Sequence, residues 1–79
     1  MQIKIYSTEA CTLCEKVVDQ LFGLYLVEGL ELIVIDVALD DQLLKCYGAD
    51  IPVIEISEKT LRSPFSDKEM LELIKQFVP

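Results

Sequence analysis

Two cysteines separated by two residues, Cys11-Thr12-Leu13-Cys14, are the side chains whose type and spacing could do chemistry in this chain. A thiol pair at this spacing can exchange with a disulfide, lend two ligands to a metal, or serve only as packing. Context separates these uses. The pair follows an apolar run, Ile3 to Tyr6, that reads as a strand, and it opens a periodic apolar segment, Leu13 to Leu26, that reads as a helix. Two thiols at a strand-to-helix corner of a βαβ pattern point to redox chemistry.

The corner supplies a cause for reactivity. The first backbone N-H groups of a helix are unpaired and carry partial positive charge, here directed at Cys11, which favours thiolate over thiol. An ordinary cysteine with a pKa near 8.5 is only about 3% ionised at pH 7, and half ionisation needs about 2 kcal/mol. A helix terminus supplies about 0.3 to 2 kcal/mol, so a hydrogen bond from Cys14 is the natural second contribution. Glu9 and Glu15 oppose it through their negative charge. Moderate activation of Cys11 is the expectation.

The rest of the chain limits the alternatives. Its 79 residues, 52% hydrophobic, suit one domain spanning residues 1–79 with a single core. No apolar run is long enough to cross a bilayer, and Met1-Gln2-Ile3-Lys4 lacks the pattern of a signal peptide, so cytoplasmic residence without a membrane is expected. Seven Lys and Arg against 14 Asp and Glu give a net charge of -7, which speaks against nucleic acid as a partner. There is no histidine, which excludes His-based acid-base catalysis, His metal ligation and a Cys-His nucleophile. Three cysteines divide naturally into one pair and one single.

The elements that must hold the pair follow in order. Gln2 to Tyr6 reads as the first strand, and the helix after it carries an apolar stripe of Leu13, Val17, Leu21, Leu24 and Tyr25. Gly23 lies inside that helix and Gly29 ends it. Leu30 to Val37 is β-rich and nearly continuously apolar, as in a strand covered on both faces. Asp40 and Asp41 can cap a short helix through about Cys46, with Gly48 beyond its end. Pro52 to Ile56 reads as a third strand, Ser57-Glu58-Lys59 as a turn, and Thr60 to Arg62 as a fourth strand. Ser66 with Glu69 forms a capping box for a last helix, stapled by Phe65 and Met70, with Met70, Leu71, Ile74, Phe77 and Val78 on its apolar face.

With the order βαβαββα, Cys-x-x-Cys after the first strand and Ile51-Pro52-Val53 entering the third, the chain resembles the glutaredoxins and their small relatives in the thioredoxin-fold superfamily. The resemblance runs over essentially the whole length. It implies a thioredoxin-like α/β fold with a four-stranded mixed sheet in the order 2-1-3-4 and helices on both faces, the first and last sharing one face. It implies thiol-disulfide oxidoreductase activity, with Cys11 as nucleophile and Cys14 as resolving thiol. Pro52 matches the family's cis-proline, and Ile51 would offer a backbone edge on which a substrate pairs like an added strand. Thr12, Leu13, Ser66 and Asp67 complete the implied substrate-binding set. Partners would be a disulfide-containing protein or glutathione, together with an external thiol reductant. The exchange needs no cofactor and no metal, glutathione serving as reductant or substrate. Against the typical pattern, Tyr6 is followed by Ser7 and Thr8 where a Lys would stand two residues on, and Cys11 is followed by Thr12 in place of Pro.

Two other functions stay open at this point: a redox-inactive binding module engaging a partner through the Pro52 edge, and a metal or cluster site in which Cys11 and Cys14 supply two of the usual four ligands. For the single Cys46, buried packing is the expectation. Lys4 reads as a solvated strand end, Arg62 as a surface charge within reach of a substrate carboxylate, and Tyr6 as core or site lining.

Overall fold

Strand β1 (Gln2–Ser7) is the axis of the fold in the computed structural model, which describes residues 2–23 and 31–77. It pairs in parallel with β2 (Glu31–Asp36) and antiparallel with β3 (Val53–Ile56), and β3 pairs antiparallel with β4 (Lys59–Arg62). The sheet order β2-β1-β3-β4 is the one the resemblance implied. Flanked by strands on both sides and covered by helices, Ile3 and Ile5 of β1 are 1% and 0% exposed.

Alternation along the strands builds two cores. On one face Ile3, Ile5, Ile54 and Ile56 meet Val17 and Leu21 of helix α1 (Thr12–Gly23) and Met70, Leu73 and Ile74 of helix α3 (Asp67–Lys75). On the other, Tyr6, Val53 and Val37 are covered by Leu43 and Tyr47 of helix α2 (Asp41–Tyr47). Helices therefore lie on both faces, α1 with α3 and α2 alone.

Side chains fix the helix starts. Asp40 accepts hydrogen bonds from the backbone N-H groups of Gln42 and Leu43 at 2.9 and 3.2 Å, and Ser66 and Glu69 close the reciprocal box, with Glu69 N donating to Ser66 Oγ at 3.1 Å. A short 3-10 turn (Val37–Leu39), started by Asp36 accepting from Ala38 N at 2.9 Å, was not anticipated.

Several expectations need correction. Helix α1 begins at Thr12, and its buried face is Cys14, Val17 and Leu21, while Leu13 in the first turn is 58% exposed. Strand β2 is not covered on both faces: it is an edge strand with no fully buried residue, and Val34 is 49% exposed. Val37 belongs to the turn after β2. Helix α2 buries none of its side chains completely, which leaves Cys46 free and exposed. In α3, Leu73 takes the buried position expected for Leu71. Leu24, Tyr25, Leu26, Gly29, Leu30 and Val78 lie outside the described residues.

The β3-β4 hairpin is tighter than expected. Ile56 pairs with Lys59, so Ser57 and Glu58 alone form the loop, and Ser57 takes φ 56°. A positive φ at the first loop residue is the II′ geometry that favours glycine. A left-handed non-glycine residue costs about 1–2 kcal/mol, while glycine adds about 0.4–1 kcal/mol of unfolded-chain entropy. Ser57→Gly should therefore stabilise the protein by roughly 0.5–1 kcal/mol, read as a higher urea midpoint at unchanged slope.

Tyr6 is 6% exposed and stacks on Tyr47 with ring centroids 4.5 Å apart. Burial raises its phenol above the ordinary value near 10, and the Glu55 carboxylate and Tyr47 push the same way. The fold thus holds the proton more tightly than the unfolded chain does. That stability is fully present below about pH 10 and is lost as pH rises toward the folded value. Tyr6→Phe should flatten the fall in stability above about pH 10, measured by urea unfolding in an alkaline pH series.

Candidate functional site

The corner that carries the cysteines is made by Ala10, whose φ of 60° turns the chain from the end of β1 into α1. Cys11 then sits at the N-cap: its carbonyl accepts from Glu15 N at 3.1 Å, and its Sγ accepts from Cys14 N at 3.2 Å. One of the helix's otherwise unpaired N-H groups is therefore spent on the sulfur. In this oxidised pair the hydrogen bond to the Cys11 sulfur comes from the backbone of Cys14. Cys11 and Cys14 are joined as a disulfide, with Cα atoms 5.2 Å apart. Cys14 is 2% exposed beneath the helix, whereas Cys11 is half-buried at its tip, so Cys11 is the more accessible sulfur.

Helix periodicity splits α1 into two flanks around this pair. Cys11, Glu15 and Asp19 recur every four residues, beside Cys14 and Val18, and together with Ser7 and Val34 they line an open cleft of about 320 Å³ facing the β2 edge. Leu13, Lys16, Val17 and Gln20 line a second cleft of about 190 Å³ with Pro52, Phe65 and Asp67. Leu13 thus joins the Cys-x-x-Cys loop to Pro52.

Of the remaining candidates, Pro52 and Asp67 line this second cleft, and Thr12, Ile51 and Ser66 adjoin lining residues in sequence. The Ile51–Pro52 peptide is cis; Pro52 is buried and Ile51 half-buried. Thr12 is exposed at the start of α1. Asp67 accepts from Gln20 Nε2 at 3.0 Å, tying α3 to α1, while the Ser66 hydroxyl is already engaged as the α3 cap. Among the described residues, no group of three or more Cys, Asp or Glu side chains is placed to hold a metal ion, and no helix is long and apolar enough to cross a membrane.

Sequence reasoning missed two features. Arg62 is a tie, with its Nη1 donating to Asp50 Oδ2 at 2.8 Å and to the Cys46 carbonyl at 2.9 Å, and its guanidinium 4.9 Å above the Tyr47 ring. With Ser63 N donating to the Asp50 carbonyl at 3.1 Å, β4 pins the loop that leads into Ile51 and Pro52. Lys4 likewise has a partner, Glu55, at 3.8 Å across the β1-β3 pair. The acidic cleft was the second omission, although its signal was available in the four-residue spacing of Cys11, Glu15 and Asp19.

Comparison with known proteins agrees with this architecture. Residues 2–75 match the family model described as Glutaredoxin-like domain (DUF836). Among solved structures, the structural-genomics target protein XcR50 from X. campestris superposes with a TM-score of 0.77 at 20% identity, over 94% of this chain and 96% of that one. Thioredoxin 1 from the thermophilic eubacterium Thermosipho africanus TCF52B gives 0.74 at 18% identity, over 98% and 93%. No curated protein matches significantly in sequence.

Proposed function

This chain belongs to the glutaredoxin-like domain (DUF836) family, and from that membership we propose that it is a thiol-disulfide oxidoreductase that reduces protein or glutathione mixed disulfides. The observation that carries the reading is the asymmetry of the pair: Cys11 is reachable and accepts the Cys14 N-H, while Cys14 is 2% exposed behind it.

In the reduced protein, the Cys11 thiolate attacks one sulfur of the substrate disulfide. A Cys11-substrate bond forms, the substrate S-S bond breaks, and the first substrate thiolate leaves. Cys14 then gives up its proton and attacks Cys11 Sγ. That closes the Cys11–Cys14 disulfide and releases the second substrate thiolate, so two electrons have passed to the substrate. An external thiol reductant returns them, and the cytoplasm is the compartment that supplies such thiols. The cleft holding Leu13, Pro52 and Asp67 is the docking surface on this reading, with Thr12, Ile51 and Ser66 next to these residues in the chain.

Free-thiol counting after equilibration in graded redox buffers tests the proposal. A reversible two-electron midpoint assigned to Cys11 and Cys14 is the expected result. A pair that titrates with no midpoint would leave only a folded binding module.

A further inference from the structure

The docking surface just described leaves out the cleft on the β2 side, yet both cysteines line it. Its wall is two carboxylates one helical turn apart, Glu15 and Asp19, both exposed and without an ion-pair partner among the described residues. Its lining also holds Ser7, which is only 8% exposed and whose hydroxyl makes no hydrogen bond among the described residues. Alternation along β1 sends Ser7 to the α1 side, into this cleft. The Ser7 hydroxyl borders the cleft, where a ligand can reach it. Val18 and Val34 supply apolar surface in the same cleft, and Val34 is 49% exposed.

These features select a ligand with a cationic head on an apolar stem. We propose that the cleft between α1 and β2 receives a lysine or arginine side chain next to the target cysteine, making disulfides in basic peptide segments the preferred substrates over anionic ones such as glutathione disulfides. The inference rests on the oxidoreductase reading and names its substrate class. The methylene stem lies along Val18 and Val34, and the head meets Glu15, Asp19 and the Ser7 hydroxyl. Glutathione carries two carboxylates and one amine, so its net charge repels Glu15, Asp19 and the exposed Glu9. Lys16 stands on the other flank, in the cleft with Asp67, and leaves this wall uniformly acidic. The overall charge of -7 steers cationic partners toward the molecule, but only the cleft places that attraction beside the sulfurs.

The test uses the full chain and two disulfide-linked peptides of equal length, one with lysines and one with glutamates flanking the cysteine. The quantity read is the ratio of their kcat/KM values, in which any change in Cys11 reactivity cancels. The oxidised protein is also titrated with the same peptides carrying Ser for Cys, so that binding is read without turnover. The wild-type protein should favour the lysine peptide about tenfold at low salt, from two exposed charge pairs each worth a few-fold. The ratio should fall toward one at high salt and in Glu15→Gln/Asp19→Asn. It should persist in Glu58→Gln/Glu72→Gln, which changes the net charge equally at exposed positions outside the cleft. A wild-type ratio near one, a preference that survives Glu15→Gln/Asp19→Asn, or an equal loss in Glu58→Gln/Glu72→Gln would overturn the proposal while leaving the oxidoreductase reading intact. Selective binding of the lysine peptide without reduction of either disulfide would do the reverse.

Discussion

Cys11→Ser should lose disulfide reduction by about a thousandfold or more, because the hydroxyl that replaces the thiol is not ionised at neutral pH and the chain has no histidine to activate it. Cys14→Ser should behave differently. Cys11 can still attack, but the thiol that displaces the substrate is gone, so a mixed disulfide accumulates when glutathione is left out. The trapped species is read as a shift on a non-reducing gel and as the mass of protein plus substrate. Cys46→Ser, which removes the exposed third thiol, should retain full turnover and controls for adventitious exchange. The roles cannot be interchanged, because Cys14 lies 2% exposed under the helix that presents Cys11. Intact reductase activity in both active-pair variants would end the assignment of Cys11 as nucleophile and Cys14 as resolving thiol.

The two flanks of α1 show why part of this site was legible from sequence and part was not. Cys-x-x-Cys between a strand and a helix, and a proline at the third strand, are local signals. Both survive as geometry, in the Cys11 N-cap and in the cleft that Leu13 shares with Pro52. Which side of α1 faces which neighbour is a tertiary fact. Leu13 looked like a core residue because spacings of four fit a stripe from Leu13 to Leu21. In the fold Val17 and Leu21 keep the buried face, but Cys14 takes its first position in place of Leu13. Leu13 is left to the Pro52 side, and Glu15 and Asp19 line the cleft toward β2.

The same limit applies to the fold. Apolarity placed a strand over Leu30 to Val37, and residues 31–36 form one, yet it could not distinguish a covered central strand from an edge strand. A run such as Leu32 to Ile35 is compatible with either. Caps were easier, since Asp40 and Ser66 act within three residues of their own positions. The Arg62 tie spans 12 to 16 residues of sequence and joins groups that no periodicity relates.

Ile54→Ala should be among the most destabilising single changes, at about 2–5 kcal/mol, out of a total of about 4–12 kcal/mol for a domain of this size. One row across the sheet makes the comparison: Val34, Ile5, Ile54 and Leu61 stand side by side on β2, β1, β3 and β4. Ile5 and Ile54 are both 0% exposed beneath α1 and α3, and removing a branched side chain there leaves a cavity that strands paired on both sides cannot collapse. Val34 in the same row is 49% exposed, so Val34→Ala should cost less than about 1 kcal/mol. Urea unfolding at unchanged slope reads both values. Equal losses at Val34 and Ile54 would mean that the β2 edge is covered in solution. The cleft between α1 and β2 would then be closed to a substrate side chain, whereas the expected inequality keeps it open.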